Sequence, residues 1–278
     1  MFENAVAIVT GGGSGIGRAL AEELSNRHAI VVLADIQGEA ARRVADAISH
    51  SGGRASAAYV DVSRAEDVQR LVNETVSHHG RLDLMFNNAG IGVGGEIREL
   101  TLEHWRTAID VNLYGVIHGV AAAYPVMVRQ GAGHIINIAS LAGLIPSPCL
   151  APYATTKGAV VSLTRALRAE ADSYGVRASV VCPGFVDTAI FDNAIGVKFD
   201  KQEILKRLKL PLLPVRDAAL AILAGVESND AVIVFPPSAR ALWRLSRWAP
   251  WLLAGFERRI VSHLRNRQEH GGGSITPA

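Results

Sequence analysis

Short runs of Val, Ile and Ala alternate along the chain with longer stretches in which apolar residues recur every three or four positions. Runs of five or six apolar residues read as strands buried on both faces, and the periodic stretches between them as amphipathic helices. The pattern predicts strands at 5–10, 30–35, 56–61, 82–87, 134–139, 177–182 and 231–235, and helices at 15–27, 38–50, 64–79, 101–130, 152–174 and 216–227. Such an alternation builds βαβ units with right-handed crossovers, hence an α/β, doubly wound, seven-stranded parallel sheet with helices on both faces. Ser63 followed by Glu66 has the spacing of a capping box, whereas Thr101 followed by His104 reads as a plain cap. Residues 185–214, with Gly196, Pro211 and Pro214 among charged residues, break the rhythm and are expected to form a lid over a site.

Composition narrows the class. With 278 residues, 49% of them hydrophobic, the chain can bury a large core without metals or disulfides, which excludes a disordered chain and a small stapled one. Cys149 and Cys182 are too few for a disulfide framework, and Met1-Phe2-Glu3-Asn4 lacks the basic flank and apolar run of a signal peptide, so a cytoplasmic location is expected. The net charge of +2 is unevenly spread. Residues 238–270 hold Arg240, Arg244, Arg247, Arg258, Arg259, Arg265 and Arg267 against Glu257 and Glu269, leaving the remainder slightly acidic. Such a body offers no footprint for nucleic acid. No His-Glu-x-x-His or Cys-x-x-Cys occurs, so no metal site is expected.

Thr10-Gly11-Gly12-Gly13-Ser14-Gly15-Ile16-Gly17 falls between the first strand and the first helix, where backbone N–H groups and the helix dipole can hold a pyrophosphate. Gly11 supports the tight turn, Gly15 leaves room for a cofactor and Gly17 lets the helix pack on the sheet. Gly11, Gly13, Ser14, Gly15 and Ile16 are the candidate contacts. Asp35 ends the second strand, 18 residues past Gly17; a carboxylate there accepts ribose hydroxyls and repels a 2′-phosphate. With Ile36 and Gln37 after it and no cation in the loop, the predicted cofactor is NAD.

Gly-x-x-x-Gly-x-Gly at 11–17, Asn87-Asn88-Ala89-Gly90, Tyr153-x-x-x-Lys157 and Pro183-Gly184, in this order at strand ends, resemble the short-chain dehydrogenase/reductase family over about residues 5–237. The resemblance implies a single Rossmann-like domain with strand order 3-2-1-4-5-6-7, assembled as a homodimer or homotetramer. It further implies that Ser140 is the catalytic serine, Tyr153 the acid/base, Lys157 its partner and Asn112 the helix asparagine. Asp61 and Val62 match the pair beside the adenine, Asn88, Ala89 and Gly90 the segment beside the adenosine ribose, and Pro183, Gly184, Val186 and Thr188 the segment beside the nicotinamide.

Tyr153 and Lys157 are four apart on a predicted helix and share a face. Alcohol oxidation needs a base for the hydroxyl proton, and a free tyrosine with a pKa of about 10 is under about 1% ionised at neutral pH. The ammonium of Lys157 and the positive ring of NAD both favour phenolate, and lowering the pKa by about 3, roughly 4 kcal/mol, is within reach of two nearby cations. Ser140 is placed to hydrogen-bond the substrate oxygen. By resemblance, Asn112 holds a water that links Lys157 to solvent. Leu141, Ala142, Leu144, Ile145, Cys149, Leu150, Phe185 and Phe191 flank these positions, which suits a small lipophilic alcohol or ketone: a steroid, retinoid, terpenoid or long-chain alcohol. Two other readings stand beside an NAD-dependent dehydrogenase: an NADPH-dependent carbonyl or 3-oxoacyl-thioester reductase, and an NAD-sensing protein without turnover.

Domain boundaries follow: 1–237 for the dinucleotide-binding and catalytic body, 238–270 for a basic amphipathic extension and 271–278 for a flexible tail. In the extension Arg240, Arg244 and Arg247 fall on one helical stripe, and Leu242, Leu245, Trp248 and Ala249 on the other side, with Pro250 ending the helix. The arginines interrupt the apolar run, so no membrane-spanning helix is expected. Either the apolar stripe packs on the body or a sister subunit, or the segment lies as a peripheral helix on an anionic membrane surface.

Overall fold

The computed structural model describes residues 1–190, 195–196, 212–252, 255 and 262. Seven parallel strands form its sheet: β1 (Val6–Thr10), β2 (Ile30–Asp35), β3 (Arg54–Tyr59), β4 (Leu84–Asn87), β5 (Gly133–Ile138), β6 (Val176–Pro183) and β7 (Val232–Phe235), in the order β3-β2-β1-β4-β5-β6-β7. The order reverses direction between β1 and β4, and at such a switch point the C-terminal strand ends open a crevice for a ligand. Helices α1 (Gly15–Asn26), α2 (Gly38–His50), α3 (Ala65–His79), α4 (Leu102–Ile109), α5 (Gly115–Gln130), α6 (Ala151–Ala171) and α7 (Val215–Glu227) surround the sheet, and α8 (Pro237–Trp248) follows β7.

The central strands are apolar throughout because both faces are covered: β1 and β4 are buried at every position. On one face Leu20 and Leu24 of α1 and Ile222 and Leu223 of α7 meet Val9, Leu33 and Phe86. On another, Leu71 and Val72 of α3 and Ala123 and Met127 of α5 meet Ile8, Met85 and Ile135. Burial of each such aliphatic side chain stabilises the fold by about 1.5–3 kcal/mol.

Four expectations need correction. The third strand starts two residues early, at Arg54 rather than 56, because register with β2 pairs Ile30 with Arg54 and Asp35 with Tyr59. The stretch 101–130 is not one regular helix: a π-turn at Asp110–Tyr114 separates α4 from α5. Thr101, not Ser63, heads a capping box: its Oγ1 accepts from the His104 N–H at 3.4 Å while its own N–H donates to His104 Nδ1 at 3.1 Å. Ser63 instead donates its hydroxyl to Asp61 Oδ1 at 2.7 Å, and α3 begins after Arg64 with no side-chain cap. The apolar stripe of the extension also divides differently. Ala239 is buried, Leu242 and Trp243 pack on the body, and Leu245 and Trp248 face solvent.

The continuous helical stretch Leu102–Gln130 is long and apolar enough to cross a membrane, with a hydropathy of 1.4 in its best window. Here its apolar residues pack on the sheet, with Val116, Ala122, Ala123 and Met127 buried. Of the expected lid at 185–214, residues 191–194 and 197–211, Phe191 among them, lie outside the described residues, as does the tail at 271–278. What is described pairs Val93–Gly94 with Ile195–Gly196 and bridges Val186 to Leu213.

Candidate active site

The glycine loop is built as the sequence requires. Gly11 and Gly15 adopt φ of +65° and +52°, the left-handed region that an L side chain rarely enters. A Cβ on Gly17 would collide with the carbonyl of Gly11, so glycine there lets α1 start against the turn. The hydroxyl of Thr10 then ties the loop to the segment after β4: it donates to the Phe86 carbonyl at 3.3 Å and accepts from the N–H groups of Asn88 (3.0 Å) and Ala89 (3.1 Å). Asn88 returns its side-chain amide to the Thr10 carbonyl at 2.8 Å. Thr10 was not among the expected site residues; its hydroxyl at the head of the loop was the available signal.

Asp35 lies at the end of β2. Its Oδ2 accepts from the Gly13 N–H at 2.9 Å and its Oδ1 from the Gln37 N–H at 2.8 Å. Both oxygens are oriented by backbone donors and keep lone pairs for further donors. Asp61 accepts from the Ser63 N–H and hydroxyl through Oδ1 alone, while the neighbouring Val62 is buried and its carbonyl meets His118 Nδ1 at 2.9 Å.

The four predicted catalytic side chains come from three different elements. Ser140 follows β5 and caps the turn Leu141–Gly143, its Oγ accepting from the Ala142 N–H at 3.1 Å. Tyr153 and Lys157 project from the same face of α6, 5% and 2% exposed, with the ammonium 5.7 Å from the centre of the phenol ring. Asn112 sits in the π-turn and is fully buried: its Oδ1 accepts from the Ile91 N–H at 2.8 Å and its Nδ2 donates to the Ile91 carbonyl at 3.0 Å. An added residue in a helix re-aims the side chains around it, and such π-bulges are frequent at functional sites. The turn points Asn112 at the β4 segment: a Cβ placed on Gly90 would lie 3.0 Å from Asn112 Oδ1 and 3.3 Å from Lys157 Nζ.

Close approach of α6 to β5 depends on a glycine absent from the expected set. A Cβ at Gly143 would come within 2.6 Å of the Lys157 backbone, so only glycine lets the Ser140 turn lie against the helix that carries the tyrosine. Lys157 Nζ donates to the Ile138 carbonyl at 2.9 Å. Pro183, Gly184, Val186 and Thr188 continue from β6 on the facing side of the crevice, where a Cβ on Gly15 would reach Thr188 Cγ2 at 3.4 Å.

Burial dominates the electrostatics. It pushes the Tyr153 phenol up to about 12, a hydrogen bond with Ser140 only partly opposing it, and pulls the Lys157 ammonium down to about 8. In the polypeptide by itself burial sets the phenol, and the Lys157 ammonium is turned onto the Ile138 carbonyl; the lowering is expected of Lys157 together with the positive ring of NAD. The Cys182 thiol, fully buried behind these groups, is pushed up to about 12, also by burial, and is unreactive at neutral pH.

These features fit a dinucleotide. Space that a Cβ would fill at Gly15 and Gly90 opens toward Thr188 and Lys157, and Asp35 stands at the end of the adjoining strand. Lys157 Nζ is a three-proton donor for which Ile138 is the acceptor among the described residues, so vicinal hydroxyls match what the buried ammonium requires.

Comparison with known proteins agrees with this geometry. The family model of the short chain dehydrogenases matches residues 5–195. The cyclohexanol dehydrogenase of Acinetobacter sp. (strain SE19) is 37% identical over 234 residues, 84% of this chain and 91% of that protein. The meso-2,3-butanediol dehydrogenase of Serratia marcescens is 36% identical over 236 residues, again 84% and 91%. A crystal structure of a short chain dehydrogenase/reductase from Burkholderia phymatum in complex with NAD superposes with a TM-score of 0.81 at 30% identity, covering 100% of this chain and 98% of that one. Together with the crevice and its tyrosine and lysine, these likenesses show that the chain belongs to the short-chain dehydrogenase/reductase family of NAD(P)-dependent oxidoreductases.

Proposed function

We propose that this protein interconverts a secondary alcohol and a ketone with NAD, on a substrate that is apolar apart from the reacting oxygen. The observation that carries the reading is the convergence of a buried phenol, a buried ammonium and the Ser140 hydroxyl beside a glycine-lined crevice.

Each group has a task. Backbone donors of Gly11, Gly13, Ser14, Gly15 and Ile16 hold the pyrophosphate of the cofactor, Asp35 its adenosine ribose, Asp61 and Val62 its adenine edge. Asn88, Ala89 and Gly90 lie beside the adenosine ribose, and Tyr153 and Lys157 stand at the nicotinamide end with Pro183, Gly184, Val186 and Thr188. Bound NAD supplies the hydride acceptor and a positively charged ring. Ser140 Oγ–H donates to the substrate oxygen and stabilises alkoxide character on it. Tyr153 Oη takes the hydroxyl proton in oxidation and returns it in reduction. With its phenol at about 12 in the polypeptide alone, Tyr153 starts as an acid; the base form requires added positive charge beside it. Lys157, at about 8, is mostly protonated at pH 7 and sheds that charge just above, so it serves both as the local cation and as a proton carrier. Asn112, pinned to the Ile91 backbone, fixes the neighbouring wall and is the residue that would hold a water linking Lys157 to solvent.

An apolar substrate is supported by the residues beside the site, Leu141, Leu144, Ile145, Cys149 and Leu150, and by one relative named for cyclohexanol; the relative named for meso-2,3-butanediol, a polar diol, supports the secondary hydroxyl alone. The same reading carries a cytoplasmic homodimer or homotetramer. Asp35 disfavours NADPH-dependent reduction of carbonyls or 3-oxoacyl thioesters.

The test is a screen by NADH absorbance over cyclic and acyclic secondary alcohols, with cyclohexanol and meso-2,3-butanediol included. NAD-linked oxidation that disappears in Tyr153→Phe is expected. Turnover confined to NADPH, or retained in Tyr153→Phe, overturns the reading; NAD binding with no turnover on any alcohol or ketone makes the protein a sensor.

A further inference from the structure

Helix α8 leaves the body in a way that does not serve the crevice. Ala239, Leu242 and Trp243, spaced three and four apart, seat it on the cluster containing Val180, Cys182 and Val234, and Arg240 fastens it by donating to the Val234 carbonyl at 3.1 Å. Once that face is used, the next turn is not covered. Trp248 is 79% exposed, Trp251 70%, Leu252 61% and Leu245 37%, two large apolar side chains in the last turn of α8 and two just past its end. Trp243 and Trp248 bracket Arg244 and Arg247 around a depression of about 310 Å³. Neither arginine has an ion-pair partner among the described residues, and the sequence holds no acidic residue between Asp230 and Glu257.

We infer that this surface docks the enzyme on an anionic phospholipid bilayer, with Trp248, Trp251 and Leu252 at the acyl boundary and Arg244 and Arg247 on lipid phosphates. Large exposed aromatics are costly in water, and tryptophan, with an apolar body and one N–H donor, is the side chain that settles at the depth of headgroups. Arginine places its stem among apolar neighbours and its guanidinium on phosphate oxygens, two N–H groups at a time. A polar–apolar division of this kind at the end of α8 and in the residues just past it, with cations on the polar flank, describes a segment that lies in the interface plane. Charge disfavours a second copy of the chain as the occupant. A two-fold contact through this helix would bring Arg244 and Arg247 of each copy toward those of the other with no carboxylate between them, whereas an anionic surface supplies the missing charge. The sequence beyond Leu252 adds Arg258, Arg259, Arg265 and Arg267 to the same end of the chain. Docking also brings the enzyme to where an apolar alcohol would partition, although the surface argument does not depend on the proposed reaction.

The test uses the full-length chain and floats it with vesicles of phosphatidylcholine alone or mixed with phosphatidylglycerol. Truncation after Ser238 is unsuitable because it would uncover the core under Ala239, Leu242 and Trp243. Binding at least about tenfold stronger to the mixed vesicles, weakened by salt, is expected for two or more arginines near an anionic surface. The pair Trp248→Ser/Trp251→Ser should lower partitioning on mixed vesicles by about tenfold or more, and Arg244→Gln/Arg247→Gln should lower the preference for phosphatidylglycerol by about tenfold or more. Leu102→Gln, an equally exposed apolar site on the body, should change neither. No flotation of the full chain, equal binding to both vesicle types, or undiminished binding of the Trp pair overturns the proposal. So does a fall in oligomer size on size exclusion for the Trp pair with vesicle binding intact, which would assign the surface to a sister subunit. None of these readings uses turnover, so an inactive preparation leaves the outcome interpretable.

Discussion

At the N-terminal end of β5 the imidazole of His134 is buried beside Ser179; at its C-terminal end the Ile138 carbonyl receives the ammonium of Lys157. Both side chains are 2% exposed, and burial holds both below their ordinary pKa, Lys157 to about 8 and His134 to about 3. The histidine end is closed. Ser179 donates to the Asp230 carbonyl at 2.6 Å, so it accepts from His134 Nε2–H, and Nδ1 is left buried without a partner while Arg177 and Arg168 add positive charge nearby. The lysine end opens on a crevice where a phenol, a hydroxyl and a glycine-lined wall converge. A perturbed pKa therefore marks desolvation at both ends of the sheet, and only convergence at the C-terminal edge of the strands marks chemistry.

Exchanging each buried base for an uncharged residue tests that contrast, and Lys157→Met carries the largest expected effect. Activity should fall by about 100-fold or more with loss of the cation that supports the phenolate. Stability at pH 7 should hold or rise, because holding this ammonium in the folded chain costs up to about 3 kcal/mol. The sign is checkable in alkali: between pH 8 and 10 the unfolded wild type still binds the proton that the folded one has released, so wild-type stability gains with pH relative to the variant. Urea midpoints that run parallel for the two proteins would break the comparison at this end.

His134→Gln should do the reverse. The unfolded histidine binds a proton near pH 6.5 and the folded one only near 3, so the wild type loses stability as pH falls, by about 2 kcal/mol between pH 7 and 5. The variant should lack that part of the acid limb and keep kcat unchanged. A drop in kcat with intact stability would mean that the closed end of β5 takes part in catalysis.

Asp35→Ser probes the crevice away from the reacting groups. Removing the carboxylate should raise the NADP-to-NAD ratio of kcat/KM by about tenfold, or about 1.4 kcal/mol. An unchanged ratio in steady-state kinetics would remove Asp35 from cofactor selection.

The contrast between the two ends also explains what could be read in advance. The inner strands and the meeting of Ser140, Tyr153 and Lys157 beside one crevice were legible because continuous Val/Ile runs and the motif spacing each force one placement. Edge strand β3, Arg54 to Tyr59, carries no such run. Its pattern drew the expected strand toward Val60, which is buried but lies beyond the β2 register. One extra residue at Asp110–Tyr114 leaves a helical period nearly intact, so the π-turn that aims Asn112 was invisible. In α8, periodicity found an apolar stripe, but which part of it meets the body is set by where β7 ends, which no local pattern encodes. His134 was one histidine in nine, with nothing nearby in sequence to mark its burial.

The smallest effect concerns the helical path to Asn112. Expecting only Glu or Gln three residues after the cap missed that an imidazole nitrogen does the same work, so the His104 ring completes the box at Thr101. Thr101→Ala removes one half of it and should cost about 1 kcal/mol by urea titration. Catalysis should be indifferent, because Asn112 is held from the other side: both of its bonds to Ile91 belong to the segment after β4, not to the first turn of α4. If kcat fell along with stability, the π-turn would be positioned by the start of its own helix, and the crevice end would owe its rigidity to helix capping rather than to the backbone that Asn112 clasps.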